Sequence, residues 1–291
     1  MQSLIYVPDG GSLNKTNSYV ELALKESYIL STVQNVGAVE HTLITEDIPG
    51  VDGTHIVNER IEAREIPCTV YVHGANRQNM YYLRSELIHK LSGKTEGWLY
   101  YQNDYVNVRI RAKPILPGNF TERIAEYNKC DIKFYCADPA WQEVEPSNIE
   151  IGYTTGVGLS FPTEFNAITF GTREMRRTVE CLSSTDKTPV KITITGQAEH
   201  PKITNVTTGE TMAFENLSMA LGDELVIDTT PGDLSVRLTT GSTTKSAFNL
   251  ISPTSIMWQL IPGSNTISYS ADDAAQNINI KIEWVTRHEG V

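Results

Sequence analysis

The side chains best suited to chemistry in this 291-residue chain are four cysteines, six histidines and 35 acidic residues. The cysteines, which are Cys68, Cys130, Cys136 and Cys181, form no CxxC pair, and the histidines are too scattered to serve as a metal-ligand set. Cys130 and Cys136 are an even number of residues apart in CDIKFYC, so a strand would carry both on one face. The sequence therefore predicts buried, reduced thiols and no metal site.

Catalytic motifs are also missing from the sequence. It contains no P-loop, GxGxxG, HExxH or GxSxG motif. Two carboxylates could flank a glycosidic bond, but 35 Asp and Glu residues make chance pairs certain. His55 and His73 stand beside polar neighbours in no recognisable pattern. We therefore predict no catalytic residues, no cofactor-binding residues and no cofactor, and we expect the protein not to be an enzyme.

Three tryptophans suggest a different site, a platform on which sugar rings stack. They are Trp141, Trp258 and Trp284. Trp258 lies in IMWQL and Trp284 in IKIEWV, and both contexts are apolar and strand-like. Large aromatic residues in such contexts usually pack in a core, so core packing is the favoured interpretation.

Charge and hydropathy exclude two broad functional classes. The formal net charge is −11, whereas proteins that bind phosphate backbones over a wide surface are usually basic. No segment approaches the roughly 20 apolar residues of a membrane helix, and the first residues do not resemble a secretory signal. We expect no membrane partner and synthesis in a cytoplasm.

One segment departs from the strand patterns that dominate the chain. Four apolar residues recur at helical spacing in MYYLRSELIHKLSG: Leu83, Leu87, Ile88 and Leu91. Gly93 stands where a helix often ends. We predict a helix over residues 79–92 that packs its apolar stripe on a sheet, with Arg84 on the exposed side.

The remaining pattern predicts two mainly β domains. The polar, proline-containing stretch QEVEPSNIE separates a domain at 1–145 from one at 150–291. The second domain consists of strands punctuated by Gly, Pro, Asp and Asn, which is typical of a β-sandwich or jelly roll. In GQAEHPKITNVTTGE, we expect one edge strand that begins after Pro201. In the first domain, residues 46–66 and 113–129 are too long and polar for simple hairpin turns. We expect them to form arms that reach a neighbouring molecule.

Several segments, taken in order, resemble one protein family. They are GVDGTHIVNERIEAREIPCTVYV, YYLRSELIHKLSG, FYCADPAWQ, LVIDTTPGDLSV, WQLIPGSNTISY and IEWVTRHEGV. Their order and spacing resemble the distal tail proteins of long-tailed, non-contractile bacteriophages. The resemblance covers nearly the whole chain and departs from the family pattern at Ala140, where an aromatic residue often follows the proline.

This resemblance implies a structural role at the tip of a phage tail. It implies an N-terminal β-sandwich similar to tail-tube proteins with one flanking helix, and a galectin-like C-terminal sandwich. Six copies would form a ring that joins the tail tube protein to the tail-associated hub protein and carries receptor-binding proteins. DNA would only pass through the lumen. The sequence leaves three alternatives open: a carbohydrate-binding adhesin, the equivalent component of a contractile tail or bacteriocin, and a cell-wall hydrolase.

Overall fold

The chain forms two compact units in a computed structural model. The structure describes residues 2–13, 18–24, 27–92, 94, 96–124, 127–152, 175–185, 187–272 and 278–291. Unit 1 comprises Met1–Val144 together with His288–Val291, and unit 2 comprises Glu145–Arg287. Residues 288–291, which were predicted to lie in the second domain, therefore belong to the first unit. Among the described residues, no helix is long and apolar enough to cross a membrane.

Unit 1 is a curled antiparallel sheet with one helix and one projecting hairpin. Its strands and helix are β1 (Ser3–Pro8), β2 (Val20–Ala23), β3 (Tyr28–Val33), β4 (His41–Asp47), β5 (Thr54–Ile61), β6 (Arg64–His73), α1 (Arg77–Lys90), β7 (Gly97–Gln102), β8 (Asn107–Ile124), β9 (Tyr127–Cys136) and β10 (Trp141–Glu143). The main strand order is β2-β1-β7-β8-β9-β6-β3, and β10 pairs with β8. The end strands β2 and β3 lie against each other, so the sheet curls around one core.

The core of unit 1 follows directly from strand alternation. In β6, β7 and β9, every second residue is buried. Cys130 and Cys136 both point into this core from β9, as their even spacing predicted. A hairpin at Asn103–Asp104 joins β7 to β8, with Gln102 paired to Asn107.

The predicted helix is confirmed, although its bounds shift towards the N terminus. It begins after Asn76, whose side chain accepts a hydrogen bond from the Asn79 backbone N–H at 2.8 Å, as expected of an N-cap. Met80 and Leu87 in the helix, together with Leu91, are fully buried, and the helix contacts β6 and β8. The predicted stop at Gly93 lies outside the described residues.

Two positions on the helix differ from the predicted face. Ile88, which belongs to the apolar stripe by spacing, is 42% exposed. Arg84, predicted to face solvent, is half-buried, with its guanidinium 4.1 Å from the centre of the Phe120 ring. Arginine stacks on aromatic faces while its charge stays close to water, which reconciles its polarity with partial burial.

Unit 2 is a sandwich of two antiparallel sheets around its own core. Its strands are β11 (Ser147–Gly152), β12 (Met175–Cys181), β13 (Val190–Thr195), β14 (Ala198–Glu199), β15 (Lys202–Asn205), β16 (Glu210–Ala213), β17 (Ser218–Met219), β18 (Glu224–Asp228), β19 (Ser235–Thr240), β20 (Thr243–Ser246), β21 (Gly263–Ser270) and β22 (Asn279–Trp284). One sheet has the order β11-β22-β13-β18-β19-β20 and the other β12-β21-β15-β16. The last short strand of the chain, β23 (Arg287–His288), belongs to the sheet of unit 1, in which it pairs with β10.

The mainly β fold with one flanking helix and a second sandwich is confirmed, with two local corrections. The segment after Pro201, expected to be an edge strand, is β15, which pairs with both β16 and β21. Pro201 precedes the strand, so its missing N–H removes no ladder bond. IMWQL, expected to be a strand, is irregular apart from a bridge between Leu260 and Thr188.

Candidate assembly surface

The β4–β5 hairpin, residues 41–61, is the most exposed part of unit 1, and we call it the arm. Thr, Ile and Val favour extended backbone on both strands, and the IPGVDG segment provides the turn between them. Gly50 and Gly53 have φ of 84° and 94°, a left-handed conformation that glycine adopts without strain. A bulge interrupts the register between Ile44 and Thr45.

The arm exposes apolar side chains on an element that buries almost nothing. All seven residues of β4 and all but Ile61 of β5 are exposed. Six large apolar side chains of the arm are between 47% and 62% exposed: Leu43, Ile44, Ile48, Val51, Ile56 and Val57. A two-stranded hairpin is at best marginally stable on its own in water. An exposed hairpin of this composition is typical of a surface that another chain covers.

The electrostatics of the arm are set by carboxylates. It carries Glu46, Asp47, Asp52 and Glu59 against a single arginine, Arg60. At its base, the His41 ring hydrogen-bonds to the Glu59 carboxylate and lies 3.7 Å from that of Glu289. The hydrogen bond to Glu59 raises the pKa of His41 above its ordinary value of 6.5, and both carboxylates favour the protonated ring.

The second stretch expected to form an arm, residues 113–129, has a different structure. β8 runs through most of it and pairs with β9, with register shifts between Pro114 and Leu116, Leu116 and Asn119, and Phe120 and Arg123. These bulges explain why the stretch has no clean strand periodicity. Among the described residues of this stretch, the exposed large hydrophobic ones are Ile115, Leu116 and Tyr127, which are 47%, 37% and 41% exposed.

The residues that suggested chemistry lie in structural positions. Burial raises the pKa of the Cys68, Cys130 and Cys136 thiols to about 12, so they stay protonated at neutral pH. Among the described residues, no group of three or more His, Cys, Asp or Glu side chains could hold a metal ion. His55 lies on the exposed arm, and the His73 ring stacks on Tyr127 with centroids 4.4 Å apart.

The tryptophans do not form a sugar platform. Trp141, Trp258 and Trp284 are 0%, 1% and 8% exposed, which confirms the prediction of core packing. A groove of about 430 Å³ on unit 2 is lined by polar residues that include Lys202 and Glu215. Its aromatic residue, Phe214, is only 1% exposed and offers no face for a sugar ring to stack on.

Sequence reasoning missed one structural feature of this surface, the anchorage of the arm. Arg64 is only 3% exposed, and its guanidinium donates hydrogen bonds to the carbonyls of Asn35, Gly37 and Glu289. A lone arginine at the start of a strand gives no signal of such a role. A buried cation among carbonyl oxygens is recognisable only once segments far apart in sequence are brought together.

Comparisons with known proteins agree with the two-unit description. The family model for the phage tail protein RIFT-related domain matches residues 15–136, and that for the siphovirus-type tail component, C-terminal domain, matches residues 183–288. No curated protein sequence matches the chain.

Solved structures share the fold at low sequence identity. The SPP1 Dit (gp 19.1) protein, described as a paradigm of the hub adsorption apparatus in phages that infect Gram-positive hosts, superposes with a TM-score of 0.69 at 14% identity over 99% of both chains. A chain of the phage P2 baseplate in its activated conformation with Ca aligns with a TM-score of 0.53 at 12% identity, covering 100% of this chain and 99% of that one. With both family models matched in order along the chain, the protein belongs to the distal tail protein family of siphophages.

Proposed function

We propose that this protein is a non-enzymatic structural component of the phage tail tip, where six copies close into a ring through their arms. The observation that carries the proposal is the exposure of six large apolar side chains on the arm. The ring would join the tail tube to the hub protein and carry receptor-binding proteins, and DNA would pass through its lumen. Synthesis in the host cytoplasm would precede assembly into the virion tail.

The energetics favour assembly that depends on concentration. Fully burying an apolar side chain of this size contributes about 1.5–3 kcal/mol, and about half of that remains to be gained at each exposed position. Six positions would then contribute about 4–9 kcal/mol per contact, which is comparable to the estimated cost of association of about 4–15 kcal/mol. A single contact is therefore weak, and closure of a ring, in which each subunit makes two contacts, stabilises the assembly.

The test is the mass of the protein in solution across concentration, with negative-stain images of the largest species. An arm variant replaces three exposed apolar residues by serine: Leu43, Ile56 and Val57. A control variant makes the same change at three exposed apolar residues of unit 2: Leu182, Leu221 and Ile256. We expect rings from the wild type and the control, and monomers from the arm variant. Equal assembly by the two variants would refute a role for the arm.

Carbohydrate binding by unit 2 is the alternative function. The polar groove beside Lys202 and Glu215 gives hydrogen-bonding groups but no exposed aromatic face. We therefore expect no signal from the full chain on a glycan array. Binding that is lost on Glu215→Gln would instead favour the adhesin role.

A further inference from the structure

The connection between β3 and the arm, residues 34–40, is held in place by residues that come from distant parts of the sequence. We call residues 34–40 the root of the arm and residues 288–291 the latch. The Gln34 backbone N–H donates to the Pro67 carbonyl at 3.0 Å, and the Asn35 side chain donates to the Glu65 carbonyl at 3.0 Å. One side of the root is thus fixed to β6.

The latch covers another side of the root by backbone contact. The Val291 N–H donates to the Val36 carbonyl at 3.1 Å. Gly290 lies so close to the root that a Cβ there would meet the Gly37 carbonyl carbon and the Ala38 nitrogen, each at 2.4 Å. Contacts this short involve backbone atoms that cannot rotate away, so only glycine fits at position 290.

Arg64 joins the root and the latch. Its guanidinium donates to the Asn35 and Gly37 carbonyls at 2.7 Å each, and also to the Glu289 carbonyl. The ring of Trp141 lies 5.8 Å from the guanidinium carbon, and its indole N–H donates to the Val36 carbonyl at 3.1 Å. A planar guanidinium can serve three separated carbonyls because its donors form a fixed fork, which a lysine ammonium lacks.

We propose that the latch and Arg64 are positioning residues, which fix the direction in which the arm leaves unit 1. The arm buries almost none of its own surface, so its orientation depends on the root. His41, the first residue of the arm, also lies 3.7 Å from the Glu289 carboxylate, so the latch contacts the arm itself. The consequence for ring closure rests on the proposed function, since a head-to-tail contact closes only when the arm points at one angle.

The latch follows the second unit in sequence. Residues 145–287 separate the latch from the rest of unit 1 in sequence. The arm is therefore fully anchored only after the whole of unit 2 has been synthesised.

The experiment compares two glycine substitutions that differ in the space around them. Gly290→Ala places a methyl group against the root backbone, whereas Gly37→Ala adds the same group where nothing lies within 4 Å. Neither glycine has a positive φ, so backbone strain does not distinguish the two. Arg64→Lys is a third variant, which keeps the charge and removes the fork.

The first measurement uses the distance between two spin labels to determine how uniformly the arm is oriented in the monomer. The four native cysteines are buried, so spin labels attach selectively to cysteines introduced at Asp52, at the arm tip, and at Tyr105, which is 96% exposed. We expect a narrow distribution of label distances in the background protein and in Gly37→Ala. The distribution should be about twice as wide or more in Gly290→Ala and Arg64→Lys.

The second measurement determines the protein concentration at which rings form. Unfolding in urea verifies that unit 1 remains folded in each variant. We expect Gly290→Ala to raise the concentration needed for rings by at least about tenfold, and Gly37→Ala to leave it unchanged. Narrow label distances in a folded Gly290→Ala would refute the role of the latch in orienting the arm. Broad distances with unaltered assembly would refute the consequence of that orientation for ring closure. Should the wild type form no rings, the proposed function fails, and the distance measurement still decides whether the latch orients the arm.

Discussion

Replacing Leu87 by alanine tests whether the helix stripe is part of the core of unit 1. The Leu87 side chain is fully buried in the cluster that also contains Met80 and Leu91. Leu→Ala removes the equivalent of three methylene groups, at about 0.8 kcal/mol each, and so loses about 2.4 kcal/mol of transfer free energy. The cavity left behind raises the expected loss to about 2.5–5 kcal/mol. A 3 kcal/mol loss would lower the melting temperature of a unit of this size by about 6–12 °C.

Ile88→Ala is the matched control, because its side chain is adjacent and 42% exposed. It should cost less than about 1 kcal/mol, since much of the side chain already contacts water and alanine favours the helix. Lys90→Ala removes an i,i+4 ion pair with Glu86 at 2.8 Å, and such helix pairs contribute about 0.3–0.5 kcal/mol, so the cost should be less than about 0.5 kcal/mol. The assay is urea unfolding of the full chain, in which only the transition of unit 1 should move. Equal losses at Leu87 and Ile88 would show that the assigned buried face is wrong.

Three further predictions concern other parts of the molecule. The NMR titration midpoint of His41 should lie above 6.5, and Glu59→Gln should lower it, with Glu289 remaining as the other carboxylate that faces the ring. The stabilisation that the raised pKa gives is complete below pH 6.5 and is lost as the pH rises through the folded-state pKa. Gly97→Ala should destabilise unit 1 by about 1–3 kcal/mol, because a Cβ there would meet a backbone oxygen of β1 at 2.4 Å; an unchanged urea midpoint would contradict that packing. Residues 145–287 should fold alone and unfold cooperatively by tryptophan fluorescence, whereas aggregation of this fragment beside a soluble full chain would show that unit 2 depends on unit 1.

The parts of the fold that sequence predicted are those in which local pattern and burial coincide. Alternation in CTVYVH and CDIKFYC matches the burial of β6 and β9 because both strands face one core. The helical spacing of Leu87 and Leu91 likewise matches their burial. In these segments each side chain's environment is decided by its own strand or helix, so a single sequence suffices.

Sequence patterns did not predict the structure where the surroundings of a strand depend on other strands that are distant along the chain. Pro201 suggested an edge strand, but the position of β15 between β16 and β21 depends on pairing with residues 263–270. The irregular stretch 113–129 contains no signal that its bulges accommodate β9. Local propensity cannot specify which strand lies on each side of another, because that choice is made by the packing of the whole sheet.

The arm shows a further limit of sequence reasoning, since we propose that its exposed apolar side chains contact another molecule. Apolar residues such as Leu43, Ile56 and Val57 occur there without one buried face, so periodicity searches class the segment as polar. Its anchor is equally hidden, because Arg64 and Glu289 are 225 residues apart in sequence. Hydrophobic periodicity indicates which residues are buried within one chain, so it does not identify a surface that a neighbouring molecule covers. The observation that indicates an assembly surface is structural: a hairpin with apolar side chains is anchored only at its root, and both of its faces are exposed.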